Sequence, residues 1–350
     1  MSNKIKIGII GLGRAGFGMH RTELEFYTNE FEIVAACDID PERCENFAKE
    51  APCKTYTDIP EFLAQPELEL VSVATRSGDH IAHTKLALEA GKFVFMEKPI
   101  AVCEQDLIDL KQLDEKYPGK IFIRQNRRFE SAFMHIREVI ASGVLGEVYE
   151  IKLRRNSYQR RDDWQTIIEC NGGQLNNWGP HLIDHALRFL ESPCADVWSK
   201  LKKIAAAGDA EDFLKIVFTG ENGRIIDVEI NGGAALPEPV YIVSGTRGML
   251  ISENEKMLKM KYLDPEQQLE DIKANPGTPA ISGGFGNGEE LKWIEKEIPV
   301  APASGEAPRF IWKHLFLAIR YGVPFPITMA EGLGNAAVTL QVKQQSEFAR

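Results

Sequence analysis

The first third of the chain alternates five short apolar runs with amphipathic stretches, and few folds accept that rhythm. Residues 5–10, 33–37, 70–74, 93–96 and 121–123 are nearly continuous in Ile, Val, Phe, Leu, Cys and Ala. Strands buried on both faces need such runs, whereas a half-exposed strand would alternate with polar residues. Between them, residues 15–27, 41–51, 80–90 and 104–117 carry helical spacing. Pro41 suits a first helical turn, and Gly91 stands where a helix C-terminus takes glycine. Short connections between strand and helix predict a parallel, doubly wound α/β sheet with right-handed crossovers.

The rhythm changes after about residue 125. A helix is expected at 131–142, a strand at 146–153 and a second helix at 180–190. Successive strands follow at 213–219, 225–231, 240–244 and 249–251. That order predicts an α+β second domain with a large open, mostly antiparallel sheet. Residues 263–308, rich in Pro, Gly and acidic side chains, read as a long excursion, a lid or an oligomer arm. Helices at 309–321 and 330–348 close the chain. The expected division is 1–124 and 125–350, in keeping with 350 residues being too many for one ordinary core.

Composition narrows the partners. A net charge of -10 disfavours nucleic acid, which requires a concentrated basic face. The densest basic run, Arg154-Arg155 with Arg160-Arg161, is short and reads as solvated strand ends, with a small-anion site as the lesser alternative. No stretch approaches the ~18 apolar residues of a membrane span. Six scattered cysteines without a C-x-x-C pair suggest a reducing compartment, hence a cytoplasmic location.

Three motifs carry the chemistry. Gly11-Leu12-Gly13-Arg14-Ala15-Gly16 matches G-x-G-x-x-G between an expected strand and an expected helix, the setting of a dinucleotide-binding turn. Asp38 ends the second run 22 residues after Gly16 (38 − 16) and suits the adenosine ribose hydroxyls. A 2′-phosphate ~4 Å from that carboxylate would cost about 4 kcal/mol, roughly a thousandfold preference for NAD over NADP. Arg43 on the following helix is the one group placed to offset it. Glu97-Lys98-Pro99 follows the 93–96 strand at the sheet edge where ligands of open α/β sheets bind. A buried lysine there can move the proton that accompanies a hydride, although a lysine before a turn proline also reads as a surface side chain. Gly172-Gly173 through Asn177, His181, Asp184 and His185 aims polar groups from one helix face into a cavity. His181 and His185 have an i, i+4 metal spacing, but no third ligand is evident and no metal is expected.

Together these motifs resemble the glucose–fructose oxidoreductase / inositol dehydrogenase (Gfo/Idh/MocA) family over nearly the whole chain. The resemblance implies a Rossmann domain holding NAD and a second domain whose open sheet floors the active site and often mediates oligomers. It further implies hydride transfer at a carbinol carbon of a sugar, cyclitol or related polyol. By the same match Lys98 and His181 are catalytic, and Asp184 binds or orients substrate. Gly11 to Ala15, Asp38, Arg43, Thr75, His80, Glu97, Lys98 and Asn126 line the cofactor. Tyr158, Trp164 and Gln165 lie on the substrate side, where aromatics suit a sugar's apolar face as well as a core.

Two departures stand out. Asn177 replaces the family's common aspartate, so this position in the catalytic set can orient but not carry charge. Arg76 and Ser77 replace the Pro and Asn of the family's A-T-P-N-x-x-H. A homo-oligomer, dimer or tetramer, is expected. The competing readings are an NAD-dependent glycoside-cleaving enzyme that oxidises transiently, and a cofactor-binding sensor without turnover.

Overall fold

The computed structural model describes residues 3–274, 276, 289–301 and 308–349. Six strands, β1 (Ile5–Ile10), β2 (Phe31–Cys37), β3 (Lys54–Tyr56), β4 (Leu70–Val73), β5 (Phe93–Met96) and β6 (Ile121–Ile123), form a wholly parallel sheet. Their order is β3-β2-β1-β4-β5-β6. It reverses at the β1/β4 boundary, where doubly wound sheets open a crevice for ligand. Strand β1 has Ile5, Ile7 and Ile9 fully buried, as a strand covered on both faces requires.

The second sheet contains β7 (Val148–Asn156), β8 (Cys194–Lys202), β9 (Phe213–Gly220), β10 (Ile225–Asn231), β11 (Tyr241–Gly245), β12 (Gly248–Ser252), β13 (Met257–Leu263) and β14 (Trp293–Pro299). Its order is β14-β13-β12-β11-β7-β10-β9-β8, with β7 and β10 parallel and the other neighbours antiparallel. Helices Ser131–Ala141 and Gly179–Leu190 contribute Ile136, Ile183 and Phe189 to a core against its inner face. The other side leaves Trp198, Tyr149, Met249 and Trp293 exposed.

Four strands were not anticipated: β3, β8, β13 and β14. Strand β3 is only three residues long, and β14 (Trp-Ile-Glu-Lys-Glu-Ile-Pro) is a mostly exposed edge whose charges hide its apolar positions. It occupies part of the expected 263–308 excursion. The remainder of that expectation, a lid or arm, falls in large part on residues 275, 277–288 and 302–307, outside the described residues.

The helices at the chain's end do not keep to the 125–350 unit. Ile311, Trp312, Leu315 and Phe316 from helix Ile311–Tyr321, and Ala336 from helix Met329–Gln344, belong to the core of the parallel sheet. Trp312 is fully buried against Phe31, Phe95 and His20. The physical division therefore pairs the first 124 residues with part of the last forty.

Candidate active site

The glycine turn is shaped by exclusion. Gly11 has φ +87°, and a Cβ there would lie 2.7 Å from the Ala74 carbonyl. A Cβ on Gly16 would lie 2.0 Å from the Gly11 oxygen. Gly13 instead faces outward, with no atom closer than the Arg43 guanidinium at 3.7 Å. The turn is packed behind and bare in front, so a pyrophosphate can approach Gly13, Arg14 and Ala15. Asp38 is buried at its flank and accepts hydrogen bonds from the N–H of Leu12 (2.7 Å) and of Asp40 (3.0 Å). Arg43 stands 3.8 Å from that carboxylate and 3.4 Å from Asp40. The residues present fit a dinucleotide.

After the turn the chain begins not with α- but with π-helix, Gly16–Arg21, which brings His20 into the interior. His20 Nε2 lies 2.8 Å from Glu97 Oε1 and its Nδ1 2.8 Å from Ser72 Oγ. Burial, then the charge of Arg124, hold the imidazole neutral, so the contact with Glu97 is a hydrogen bond from Nε2–H rather than an ion pair. Arg124 donates to Glu97 (2.8 Å) and forks onto Glu23 (2.6 and 2.7 Å), which also accepts from Trp312 Nε1 (2.6 Å). Burial alone would raise the Glu97 carboxyl. Arg124, His20 and Lys98 outweigh it and hold the group well below its ordinary range. Glu97, expected against the cofactor, is thus committed to this buried network beneath Lys98, whose backbone N–H it also accepts at 3.1 Å.

Lys98 Nζ donates to the backbone carbonyl of Asn177 at 3.0 Å. Burial pushes its pKa down to about 8, Glu97 opposes that, and Arg124, Arg127 and Arg14 add to it. Lys98 therefore exchanges a proton close to neutral pH. His181 is buried, its Nδ1 has no protein partner, and burial with the charges of Lys98 and Arg127 holds its pKa well below the ordinary value. It is a neutral imidazole beside the lysine.

Local sequence explains this convergence. Gly173 has φ +103°, and a Cβ there would lie 2.1 Å from the buried Glu211 carboxylate, so only glycine lets Glu211 reach the Leu175 N–H (2.9 Å). A short helix, Gln174–Asn177, follows and ends at Trp178, whose backbone leads into helix Gly179–Leu190. Asn177 and His181 thus stand on two helices rather than the single face expected. Asp184 differs further. Both its oxygens accept from Arg128, at 2.9 Å from Nε and 2.5 Å from Nη2, in a buried fork. His185 is engaged on one side: its Nε2 bonds the Arg127 carbonyl at 2.9 Å and its ring stacks on Phe133 with centres 3.9 Å apart. Among the described residues no group of three metal-ligating side chains occurs.

His80 also has another task. Its Nδ1 lies 2.9 Å from the Pro99 carbonyl and its Nε2 3.1 Å from that of Thr75; burial lowers its pKa, so the neutral ring sits between the loops after β4 and β5 and donates to one of the two. Thr75 Oγ1 meets His83 Nδ1 at 3.1 Å. Asn126 is buried at the start of the turn after β6. Trp164 and Gln165 sit on the turn Trp164–Thr166, capped by Asp163, and Gln165 accepts from Arg161 at 2.6 Å. Tyr158 is 61% exposed at the rim.

Sequence reasoning missed His20, Arg124, Arg128 and Glu211. Charged residues at the end of an apolar run, as at Arg124 after β6, were the available signal, since such groups are buried only when paired. It also missed Trp178, sandwiched by Arg127 at 4.0 Å and Arg155 at 5.4 Å.

A β-α sheet with a bare glycine turn at its switch point, and a depressed lysine facing a second domain, defines a dinucleotide-dependent enzyme of two domains. Residues 5–124 match the family described as oxidoreductase family, NAD-binding Rossmann fold (GFO_IDH_MocA), and residues 133–251 match the GFO/IDH/MocA C-terminal domain. The chain belongs to the Gfo/Idh/MocA oxidoreductase family. It is 24% identical to "scyllo-inositol 2-dehydrogenase (NADP(+)) IolW" of Bacillus subtilis, over 99% of this chain and 95% of that one. It is 29% identical to "Uncharacterized oxidoreductase C26H5.09c" of Schizosaccharomyces pombe, covering 81% and 76% of the two chains. An NAD-binding protein from Listeria innocua superposes with TM-score 0.81 at 22% identity, covering 99% and 98%.

Proposed function

We propose that this protein oxidises or reduces a carbinol carbon of a sugar, cyclitol or related polyol, using NAD in preference to NADP. The carrying observation is the Lys98 ammonium, pushed down to about 8 and held 3.0 Å from the Asn177 carbonyl beside the neutral His181. The NAD nicotinamide, when bound, accepts or supplies the hydride. Gly11, Leu12, Gly13, Arg14 and Ala15 would hold the pyrophosphate, Asp38 the adenosine ribose, and Thr75 and Asn126 the cofactor's other end.

In the oxidation direction the uncharged Lys98 takes the hydroxyl proton as the carbon–hydrogen bond breaks, and His181 orients the same oxygen. In reduction the lysine ammonium returns the proton to the carbonyl oxygen. The Asn177 carbonyl fixes Lys98 between these duties. The preference for NAD rests on Asp38, whose buried carboxylate repels a 2′-phosphate, with Arg43 too far to cancel it fully at 3.8 Å. The relative from Bacillus subtilis is named for NADP(+), and the preference for NAD read here rests on Asp38 of this chain. The open face of the second sheet, with Trp198 and Trp293 exposed, supports a homo-oligomer.

A screen of polyols and keto-sugars followed at the NADH absorbance band tests the reading. Stoichiometric NADH from an alcohol supports it. Cleavage of a glycoside with no net NADH would replace it with the transient-oxidation alternative.

A further inference from the structure

Arg76 and Trp164 meet across the seam between the two domains. Arg76 lies on the loop after β4, at the same sheet edge as the glycine turn and Lys98. Its guanidinium sits 5.6 Å from the centre of the Trp164 ring, which belongs to the second domain. Two residues on, Gly78 abuts Asn171, whose amide would be 3.0 Å from a Cβ there. The two domains therefore meet at two points along the sheet edge from which Lys98 also projects.

The arginine is uncommitted. Arg76 is exposed and, among the described residues, pairs with no carboxylate, as is also true of Arg14, Arg137, Arg160, Arg247 and Arg309; what sets Arg76 apart is its place over the Trp164 ring across the seam. Asp163, the acid next to Trp164 in sequence, is held by Arg161 at 2.9 Å and caps the Trp164 turn. That cap fixes the backbone turn on which Trp164 stands. In a chain of net charge -10, the sheet edge that carries the glycine turn also carries the unpaired guanidinium of Arg76. The buried Nδ1 of His181, without a protein partner, marks the cleft beside Lys98 as one built around a polar guest.

We propose that the Arg76–Trp164 pair selects a substrate bearing a carboxylate alongside its hydroxyls, a sugar acid rather than a neutral polyol. A guanidinium presents two parallel N–H groups that match a planar carboxylate, and the ring beneath both orients the fork and limits its hydration. One unpaired arginine matches a single negative charge. A phosphate ester, with nearly two, would call for further donors that this seam does not offer. The proposal rests on the polyol reading for the remainder of the substrate.

The test is equilibrium binding to NADH-saturated protein by calorimetry. The probes are matched pairs: D-gluconate with D-glucitol, D-glucuronate with D-glucose, and D-galacturonate with D-galactose. In at least one pair the acid binds about tenfold or more tightly than its neutral partner, and Arg76→Gln abolishes that gap. Arg76→Lys, which keeps charge but loses the fork, restores only part of it. A gap in no pair, including binding of none, overturns the proposal, as does a gap that survives in Arg76→Gln. NADH affinity is measured in the same variants. A tenfold loss there without change in acid preference assigns Arg76 to the cofactor's phosphates and also overturns it. Repeating the pairs with Lys98→Ala separates the two readings. Turnover by that variant sinks the proposed chemistry, while the acid preference stands or falls on Arg76 alone.

Discussion

Lys98 is held by the backbone of Asn177, its Nζ 3.0 Å from the carbonyl oxygen, and not by the asparagine side chain. The position at which this chain departs from its family therefore still anchors the lysine. Asn177→Ala is expected to lower kcat by less than about tenfold, because the anchoring carbonyl survives. Asn177→Asp sets a carboxylate near the ammonium and is expected to raise the kinetic pKa above that of the parent. A pH profile of kcat that does not move in Asn177→Asp refutes this.

The lysine's own titration gives the second expectation. Only the free amine takes the substrate proton, so oxidation accelerates as pH rises through about 8, and reduction slows over the same range. Lys98→Met is expected to bind NADH normally and to lose at least roughly a hundredfold in kcat. Initial rates in both directions across pH 6 to 10, with cofactor titration of the variant, provide the check.

Asp38 sets the cofactor. Asp38→Ser removes the charge facing a 2′-phosphate and is expected to tighten NADPH binding by at least roughly tenfold while weakening NADH. Fluorescence titration with both nucleotides decides the matter. An unchanged ratio of affinities means the discrimination lies elsewhere.

Glu97 tests the buried network. Its folded carboxyl titrates below the ordinary range, so its contribution to stability is fully present above that range and lost as pH falls through the lower folded value. Glu97→Gln leaves Arg124 with Glu23 alone and is expected to cost about 3 kcal/mol, seen as a lower denaturation midpoint at pH 7. A midpoint equal to the parent's would show that Glu23 suffices.

Glu211 behaves in the opposite sense. Burial pushes its carboxyl up to about 7, above the unfolded value of 4.5. The folded state prefers the proton, so this stabilisation is present below the unfolded value and lost as pH rises through about 7. Glu211→Gln keeps an acceptor for the Leu175 N–H without the charge. It is expected to raise Tm at pH 8.5 by an amount worth up to about 3 kcal/mol, and to change little at pH 4. Equal shifts at both pH values would rule out the ionisation.

The parallel sheet was legible because five of its strands are largely buried and announce themselves as nearly continuous apolar runs. Strand β13 was also within reach: Leu258, Met260 and Tyr262 turn inward between the exposed Lys259 and Lys261. Strand β14 was not, because five of its seven residues face solvent as an edge, its three charges among them. At the site, motif spacing picked out Lys98 and His181. It did not reveal that Asp184 and Glu97 are satisfied by arginines, since an ion pair such as Arg128–Asp184 joins residues 56 apart in sequence. Only tertiary packing distinguishes a carboxylate that meets ligand from one that meets arginine.

Trp312 lies at the centre of the parallel sheet's core, yet it is encoded nearly two hundred residues after that sheet's last strand, β6. During synthesis the six strands emerge first and wait with Phe31, Phe95 and His20 uncovered until the closing helices follow. At about 5–20 residues per second that interval lasts on the order of ten to forty seconds. The core behind the glycine turn is thus begun with the first strands and completed only when the closing helices emerge. A ribosome stalled before Ile311 carries a chain with the glycine turn already made and nothing yet to hold it shut.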